Sequence, residues 1–441
     1  MRSNLSHLKN YLIMVVATYV LMALYYMTIG YKETVAEYLE IGRLLLTFYF
    51  FSMIGLSMTA IKAKHLFYLN ALCFLLVSLW MKYSYQISGL GYFGRGMDSY
   101  AVLGHTIRHA DLSLFKFLKF MHREGYDAGD YGFFTIYYSL YHIYPDRMFL
   151  VYGMMVINVL CVFVSSHMIY NIQRRLNGNP NIGKLTAMLC CATPFMVVTN
   201  VNGLKEVIFM AIVVTEFYLI VRLQHRFNWF EFAAFVLLML VSRLFRNAYH
   251  YIFLLVLLVT LVTNQKNRKL MLIIILSGAF LTSALLPIFL QVFLNMDLGA
   301  LFYTADYRFT KVDNSNQFFV KIVPYIAGIL GPFAKLDRVG TYAFLHSATI
   351  YLKSAFSWFF LVGVWNIIKR QDYRYYGMLI FVFLSIYMMI VAGVSLDIRF
   401  HWVYVPIFFI IALNFIKPRY VLDYGYLFAL MVMIMMYSSR S

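Results

Sequence analysis

The chain has 441 residues and is poor in charge, with only 13% Asp, Glu, Lys or Arg against 62% hydrophobic residues. No soluble globular class has that balance. Acidic residues are scarcer still, 19 against 37 basic ones. The four cysteines, Cys73, Cys161, Cys190 and Cys191, all fall inside apolar runs. They make neither a disulfide framework nor a metal-ligand spacing, and they read as small buried hydrophobes. No internal repeat, low-complexity linker or soluble segment is visible, so residues 1–441 count as one membrane domain. No small-residue cleavage site follows the apolar run Tyr11–Ile29, which reads as a retained first span behind Arg2 and Lys9. Strict apolar–polar alternation is missing too, which argues against a β-barrel.

What is present is a series of long apolar runs. They predict an all-α fold, a polytopic transmembrane helical bundle of about thirteen spans. The expected positions are 11–29, 42–60, 66–83, 148–169, 184–199, 204–222, 229–243, 248–263, 269–292, 342–368, 376–394, 402–416 and 420–437. The net charge of +18 would imply nucleic acid in a soluble protein. Here the cations sit in alternate short loops: Lys62 and Lys64; Arg174, Arg175 and Lys184; Arg222 and Arg226; Lys266, Arg268 and Lys269; Lys369, Arg370 and Arg374; Lys417 and Arg419. With the N-terminus cytoplasmic, all six loops obey the positive-inside rule, and no nucleic-acid partner is expected.

That topology places two large segments outside, 84–147 and 293–341, read as covers over a site. Each contains an apolar stretch too short to cross. Phe133–Tyr144 is stopped by Pro145, and Val320–Ala334 is broken by Pro324, Gly328, Gly331 and Pro332. Both are expected to be re-entrant or interfacial helices. In the first cover, His105, Arg108 and Asp111 recur at helical spacing over Leu103, Ile107, Leu112 and Leu114, which predicts an amphipathic surface helix.

Cations on the wrong side carry the functional reading. Lys205 and Glu206, Arg243 and Arg246, and Asp397, Arg399 and His401 each fall at the outer tip of a helical hairpin. A charge within a bundle costs about 2.5–3.5 kcal/mol on insertion scales, so it faces a polar cavity or a partner. Arg243 and Arg246 are three apart and would point the same way on one helix. Three such tips imply a shared outer site for an anion. Paired Arg suits phosphate, because the planar fork donates two parallel hydrogen bonds. A membrane-embedded anion site beside carboxylates fits a lipid-linked phosphosugar and glycosyl transfer. Lys205, Arg246, Arg243 and Arg399 would bind the phosphates, with Arg243 and Arg399 stabilising the departing group. Asp98 is the first candidate for the general base, and Asp127, Asp130 and His401 are the reserves; Glu206 and Asp397 support. No metal and no cofactor is expected.

The order of these features resembles the bacterial cell-surface polysaccharide polymerases, the Wzy and EpsG-like membrane glycosyltransferases. Met97-Asp98-Ser99-Tyr100 is near their early D-x-x-Y-like element. Gly125-Tyr126 and the run to Tyr144 look like their G-Y segment and short aromatic helix. Gly203-Leu204-Lys205-Glu206, Arg243 with Arg246, and Arg399-Phe400 with Pro406 follow in the family's order. The first outer loop departs from the acidic motif of many GT-C glycosyltransferases, since YKETVAEYLE has no paired Asp. The resemblance implies polymerisation of O-antigen, capsule or exopolysaccharide repeat units from undecaprenyl-diphosphate-linked glycans at the bacterial inner membrane. It also implies membrane lipid, a chain-length regulator and a flippase as partners. Another polyprenyl-phosphate-sugar-dependent transferase or ligase is the second reading. A lipid-linked oligosaccharide transporter is the third, for which pseudo-symmetric halves and midplane polar groups would be expected.

Overall fold

Apolar runs of this length leave the backbone to satisfy its own hydrogen bonds, and the described part of the chain does so with helices. The computed structural model describes residues 37–87, 97–126, 128–263, 328–331, 340–391 and 398–415. Among them no strand occurs. The expected spans 11–29, 269–292 and 420–437 lie outside the described residues.

The first pair is α1 (Glu37–Ser57) and α2 (Ala63–Ile87). The segment 84–147, expected as the first cover, contains α3 (Met97–Arg108), α4 (Leu114–Arg123), a 3-10 turn at Ala128–Asp130 and α5 (Tyr131–Ile143). The middle of the bundle is α6 (Arg147–Asn177), α7 (Pro180–Cys191), α8 (Pro194–Val201), α9 (Glu206–His225), α10 (Trp229–Arg243) and α11 (Tyr249–Thr263). The last part holds α12 (Gly340–Arg370), α13 (Tyr376–Val391), the short α14 (Ile398–His401) and α15 (Val405–Phe415).

Helix α6 is the centre of the packing, touching α2, α5, α7 and α9. Helices α7, α8, α9 and α15 form the interior, and most of their side chains are buried. Around them α10 packs on α9, α11 on α13, and α12 on α15. Lys184 stitches one end. Its ammonium donates to the carbonyls of Thr59 (2.6 Å) and Ile61 (3.1 Å), so this cation, expected in a loop but buried within the helix, joins α7 to the α1–α2 turn.

Among the described residues two helices, Ala63–Ser84 within α2 and Arg147–Asn177, are long and apolar enough to cross a membrane. The number becomes three if α7 and α8 are one broken span. The sequence reads 184–199 as one continuous span, but α7 and α8 bend by 43° at Ala192-Thr193. Pro194 is the cause, because it has no N–H to continue the ladder and favours a new N-terminus.

The covers also differ in detail from expectation. Helix α3 stops at Arg108, so Asp111 and Leu112 lie beyond it and the expected amphipathic stripe is cut short. The clearer amphipathic helix is α4, which buries Phe117 and Met121 and leaves Lys116, Lys119 and Arg123 in the open. Phe133–Tyr144 corresponds to α5, a short helix laid on α6. The Tyr138 hydroxyl donates to the Leu112 carbonyl (2.7 Å), fastening α5 to the loop before α4. Of the second cover only Gly328–Gly331 and the start of α12 are described.

Candidate functional site

Helix α9 begins after a tight turn. The Gly203 N–H donates to the Asn200 carbonyl (2.9 Å), and that of Leu204 to Thr199 (3.0 Å). Gly203 has φ +61°, and a Cβ there would lie 2.8 Å from the Tyr137 hydroxyl oxygen, so only glycine suits the position. The turn lifts Lys205 out ahead of the helix and puts Glu206 in its first turn. There the positive end of the helix favours a carboxylate.

Lys205 reaches into the first cover. Its ammonium donates to the Gly129 carbonyl (3.0 Å) and ion-pairs with Asp130. The α10–α11 turn approaches the same cover segment from the other side. The Gly132 N–H donates to the Leu244 carbonyl (2.8 Å), and a Cβ on Gly132 would meet the Phe245 ring at 2.6 Å. Contact this close needs glycine, and it presses the 129–132 segment against the turn that carries Arg246.

From that turn Arg246 pairs with Glu206 (3.2 Å), and its guanidinium carbon lies 4.2 Å from the Phe400 ring centroid. Arg399 is 6.0 Å from the same ring. A cation over an aromatic face is attracted by the ring quadrupole, so Phe400 draws two guanidiniums toward one place. Lys205, Glu206, Arg246 and Arg399 therefore gather from three separate turns, and Asp130 joins them. The group holds three cations and two carboxylates. Glu206 is 6% exposed, and its Oε2 is buried with no hydrogen-bond partner among the described residues.

Other expected residues stand elsewhere. Arg243 ends α10, and Arg246 lies beyond it in the turn, so the two are not one turn apart on one helix. Helix α10 stops here because the chain folds back through Leu244 and Phe245 into α11. Arg243 interacts with Tyr251 and His250 of α11, whereas Arg246 faces Glu206 and Phe400. The backbone of Asp98 is the second residue of α3, which packs on α5 and α6. The Asp98 side chain, Asp127 and Asp397 lie outside the described residues.

His401 turns inward. It is fully buried, and its Nδ1 is 2.6 Å from the Tyr404 hydroxyl oxygen and 3.3 Å from the Lys353 ammonium. The Tyr404 hydroxyl donates to the Gly328 carbonyl (2.8 Å). With that proton committed, the 2.6 Å contact is satisfied by a proton on Nδ1 donated to the Tyr404 oxygen. Lys353 then gives its donors to the carbonyls of Gly328 and Gly331, each at 2.5 Å. Sequence reasoning missed Lys353 and Tyr404. A single Lys in a long apolar run was the available signal.

Among the described residues, no three His, Cys, Asp or Glu side chains gather where they could hold a metal ion. No protein-family model, curated protein or solved structure matches the chain. Function therefore has to be read from the site itself.

Proposed function

We propose that the protein is a membrane glycosyltransferase that polymerises lipid-linked oligosaccharide repeat units at the outer face of the bacterial inner membrane. The observation that carries this reading is the convergence of Lys205, Arg246 and Arg399 from three turns onto one place lined by Glu206 and Asp130. Clustered guanidiniums beside a largely buried ammonium suit the diphosphate of a polyprenyl-linked glycan. The order of sequence features supports the polymerase class, and thirteen spans with a cytoplasmic N-terminus would set these turns on the outer side.

In this mechanism an acceptor hydroxyl attacks the anomeric carbon of the donor sugar. The bond from that carbon to the phosphate oxygen breaks, and its electron pair leaves with the diphosphate. Arg246, Arg399 and Lys205 stabilise the developing charge. A carboxylate takes the hydroxyl proton. Asp98 remains the candidate from sequence order. Among described carboxylates, Glu206 is favoured by its unpartnered Oε2.

The test is complementation of a deletion strain of the native host with Arg399→Ala and with Arg246→Lys, the latter keeping charge but losing the fork. Loss of long polymer with persisting single-repeat product, at normal protein level, is expected. Long polymer of normal length from both variants overturns the assignment.

A transporter of lipid-linked oligosaccharide is favoured by other observations. Helices α7 and α8 form a bent pair, and Glu216, midway along α9, buries both carboxylate oxygens without a hydrogen-bond partner among the described residues. Broken helices and buried charges near mid-span are transporter features. Movement of a labelled lipid-linked glycan across proteoliposomes, without any chain extension, would decide for this reading.

A further inference from the structure

At the end of α9 away from Lys205 and Glu206, about 30 Å along a helix of this length, lies a second charged place. It is a cleft of about 620 Å³ between the ends of α6 and α9 and the start of α10. Arg175 comes from the last turn of α6, Arg222 and His225 from the last turn of α9, and Arg226 from just beyond it. Glu231 is the carboxylate in the lining, and it ion-pairs with Arg222.

The arrangement is built rather than scattered. The Tyr218 ring lies 5.9 Å from the Arg175 guanidinium and 5.7 Å from that of Arg222, and the Arg222 Nη1 donates to the Tyr218 hydroxyl (3.3 Å). One ring thus sets guanidiniums from two helices side by side. Three guanidiniums against one carboxylate leave two positive charges in excess. The N-terminus of α10, capped where the Phe230 N–H donates to the Asn228 side chain (2.9 Å), opens beside them. At the mouth Trp229 is 62% exposed and Phe230 87% exposed. Rings so placed, next to cations at a helix end, suit the boundary between headgroups and hydrocarbon.

We infer that this cleft is a binding site for the phosphate-bearing headgroup of an anionic phospholipid in the leaflet opposite the Lys205–Arg246 site. The guanidiniums receive the phosphate oxygens, and Trp229 and Phe230 lie along the acyl chains. The occupant is a lipid rather than free phosphate because the exposed aromatics continue the cleft into the apolar surface. This inference requires the chain to lie in a membrane, but not the proposed transferase activity.

The experiment uses the full chain, delipidated in a neutral detergent. Affinity for phosphatidylglycerol, for phosphatidylcholine and for inorganic phosphate is read by thermal shift and by native mass spectrometry. Phosphatidylglycerol should bind and raise the unfolding midpoint, and the other two should not. Arg175→Gln with Arg226→Gln should weaken phosphatidylglycerol about tenfold or more, the loss of one or two charge-assisted hydrogen bonds. Lys62→Gln with Lys64→Gln, at another basic turn, should leave it unchanged. Arg226→Gln alone, at an exposed position, serves if the double variant unfolds. Equal affinity in wild type and in the Arg226 variants overturns the proposal. An equal response to inorganic phosphate overturns the lipid as occupant.

Discussion

Arg246 and Glu206 meet at 3.2 Å across two helical turns that lie forty residues apart in the chain. The contact joins the α10–α11 turn to the start of α9, and both side chains are largely shielded from solvent. Breaking such a pair from one side leaves a buried charge and costs about 3–5 kcal/mol. Arg246→Met and Glu206→Gln should each lower the unfolding midpoint in detergent. The double variant should lose less than the sum, with a coupling of about 1–3 kcal/mol. Additive losses would show that the two side chains do not interact.

Gly132 permits the close approach that brings Asp130 to Lys205. A Cβ at this position would lie 2.6 Å from the Phe245 ring. Gly132→Ala should displace the first cover from the α10–α11 turn, at about 1–3 kcal/mol for overpacking. Cross-linking between cysteines placed at 130 and 205 should fall in this variant while total protein is unchanged. Cross-linking at the wild-type rate would show that the cover reaches Lys205 without this contact.

The class of fold and the charged turns were legible in the sequence for a physical reason. Apolar runs are contiguous, and a charge at the turn between two apolar runs stands out locally. Lys205, Glu206 and Arg246 were found in that way. Their partners were not, because pairing of Arg246 with Glu206 or of Lys205 with Asp130 depends on how distant turns pack. The Arg243–Arg246 spacing misled for a local reason. It assumed a helix through both, and α10 ends at Arg243. The break at Thr193-Pro194 was visible as a proline, but the continuous apolarity of 184–199 hid it. Lys353 stood out as a lone cation in an apolar run, but its partners at Gly328 and Gly331 depend on how distant segments pack.

Lys353 holds Gly328–Gly331 against α12 through two carbonyls, and Tyr404 adds a third hydrogen bond at Gly328. Lys353→Met removes the donor to the Gly331 carbonyl and one of the two donors to that of Gly328, and a buried acceptor left without a donor costs about 1–3 kcal/mol. Tyr404→Phe should cost about 1 kcal/mol. Hydrogen exchange at residues 328–331 should rise strongly in Lys353→Met and slightly in Tyr404→Phe. Unchanged protection in Lys353→Met would mean that the segment is held by other contacts.

The connection between α12 and α13 carries a pH-sensitive clasp. Arg374 donates to both oxygens of Asp372, from Nε at 2.8 Å and from Nη2 at 2.7 Å, and this holds the Asp372 carboxyl below its usual range. A depressed folded value means that the stability is present above the unfolded value of about 3.9 and is lost as pH falls through the folded one. Arg374 is half exposed, so the effect is under about 1 kcal/mol. Local protection of residues 371–375 should hold above the reference carboxylate value of about 4 and drop as pH is lowered below it. Asp372→Asn should remove that dependence. The same acid loss in the Asn variant would assign it to another group.

The last prediction separates the two carboxylates of the candidate site. Glu206 holds Arg246 with one oxygen and keeps the other buried without a hydrogen-bond partner among the described residues, whereas Asp130 is committed to Lys205. An entering diphosphate competes with both carboxylates for these cations. Removing the Asp130 charge frees Lys205 for the substrate, so Asp130→Asn should change KM more than kcat. Glu206→Gln takes away a base that acts in the transition state and should lower kcat by about 10²–10⁴. The measurement is chain extension by purified protein with a lipid-linked repeat unit. If Glu206→Gln retains its rate, the proton goes elsewhere, and Asp98→Asn becomes the variant that should abolish it.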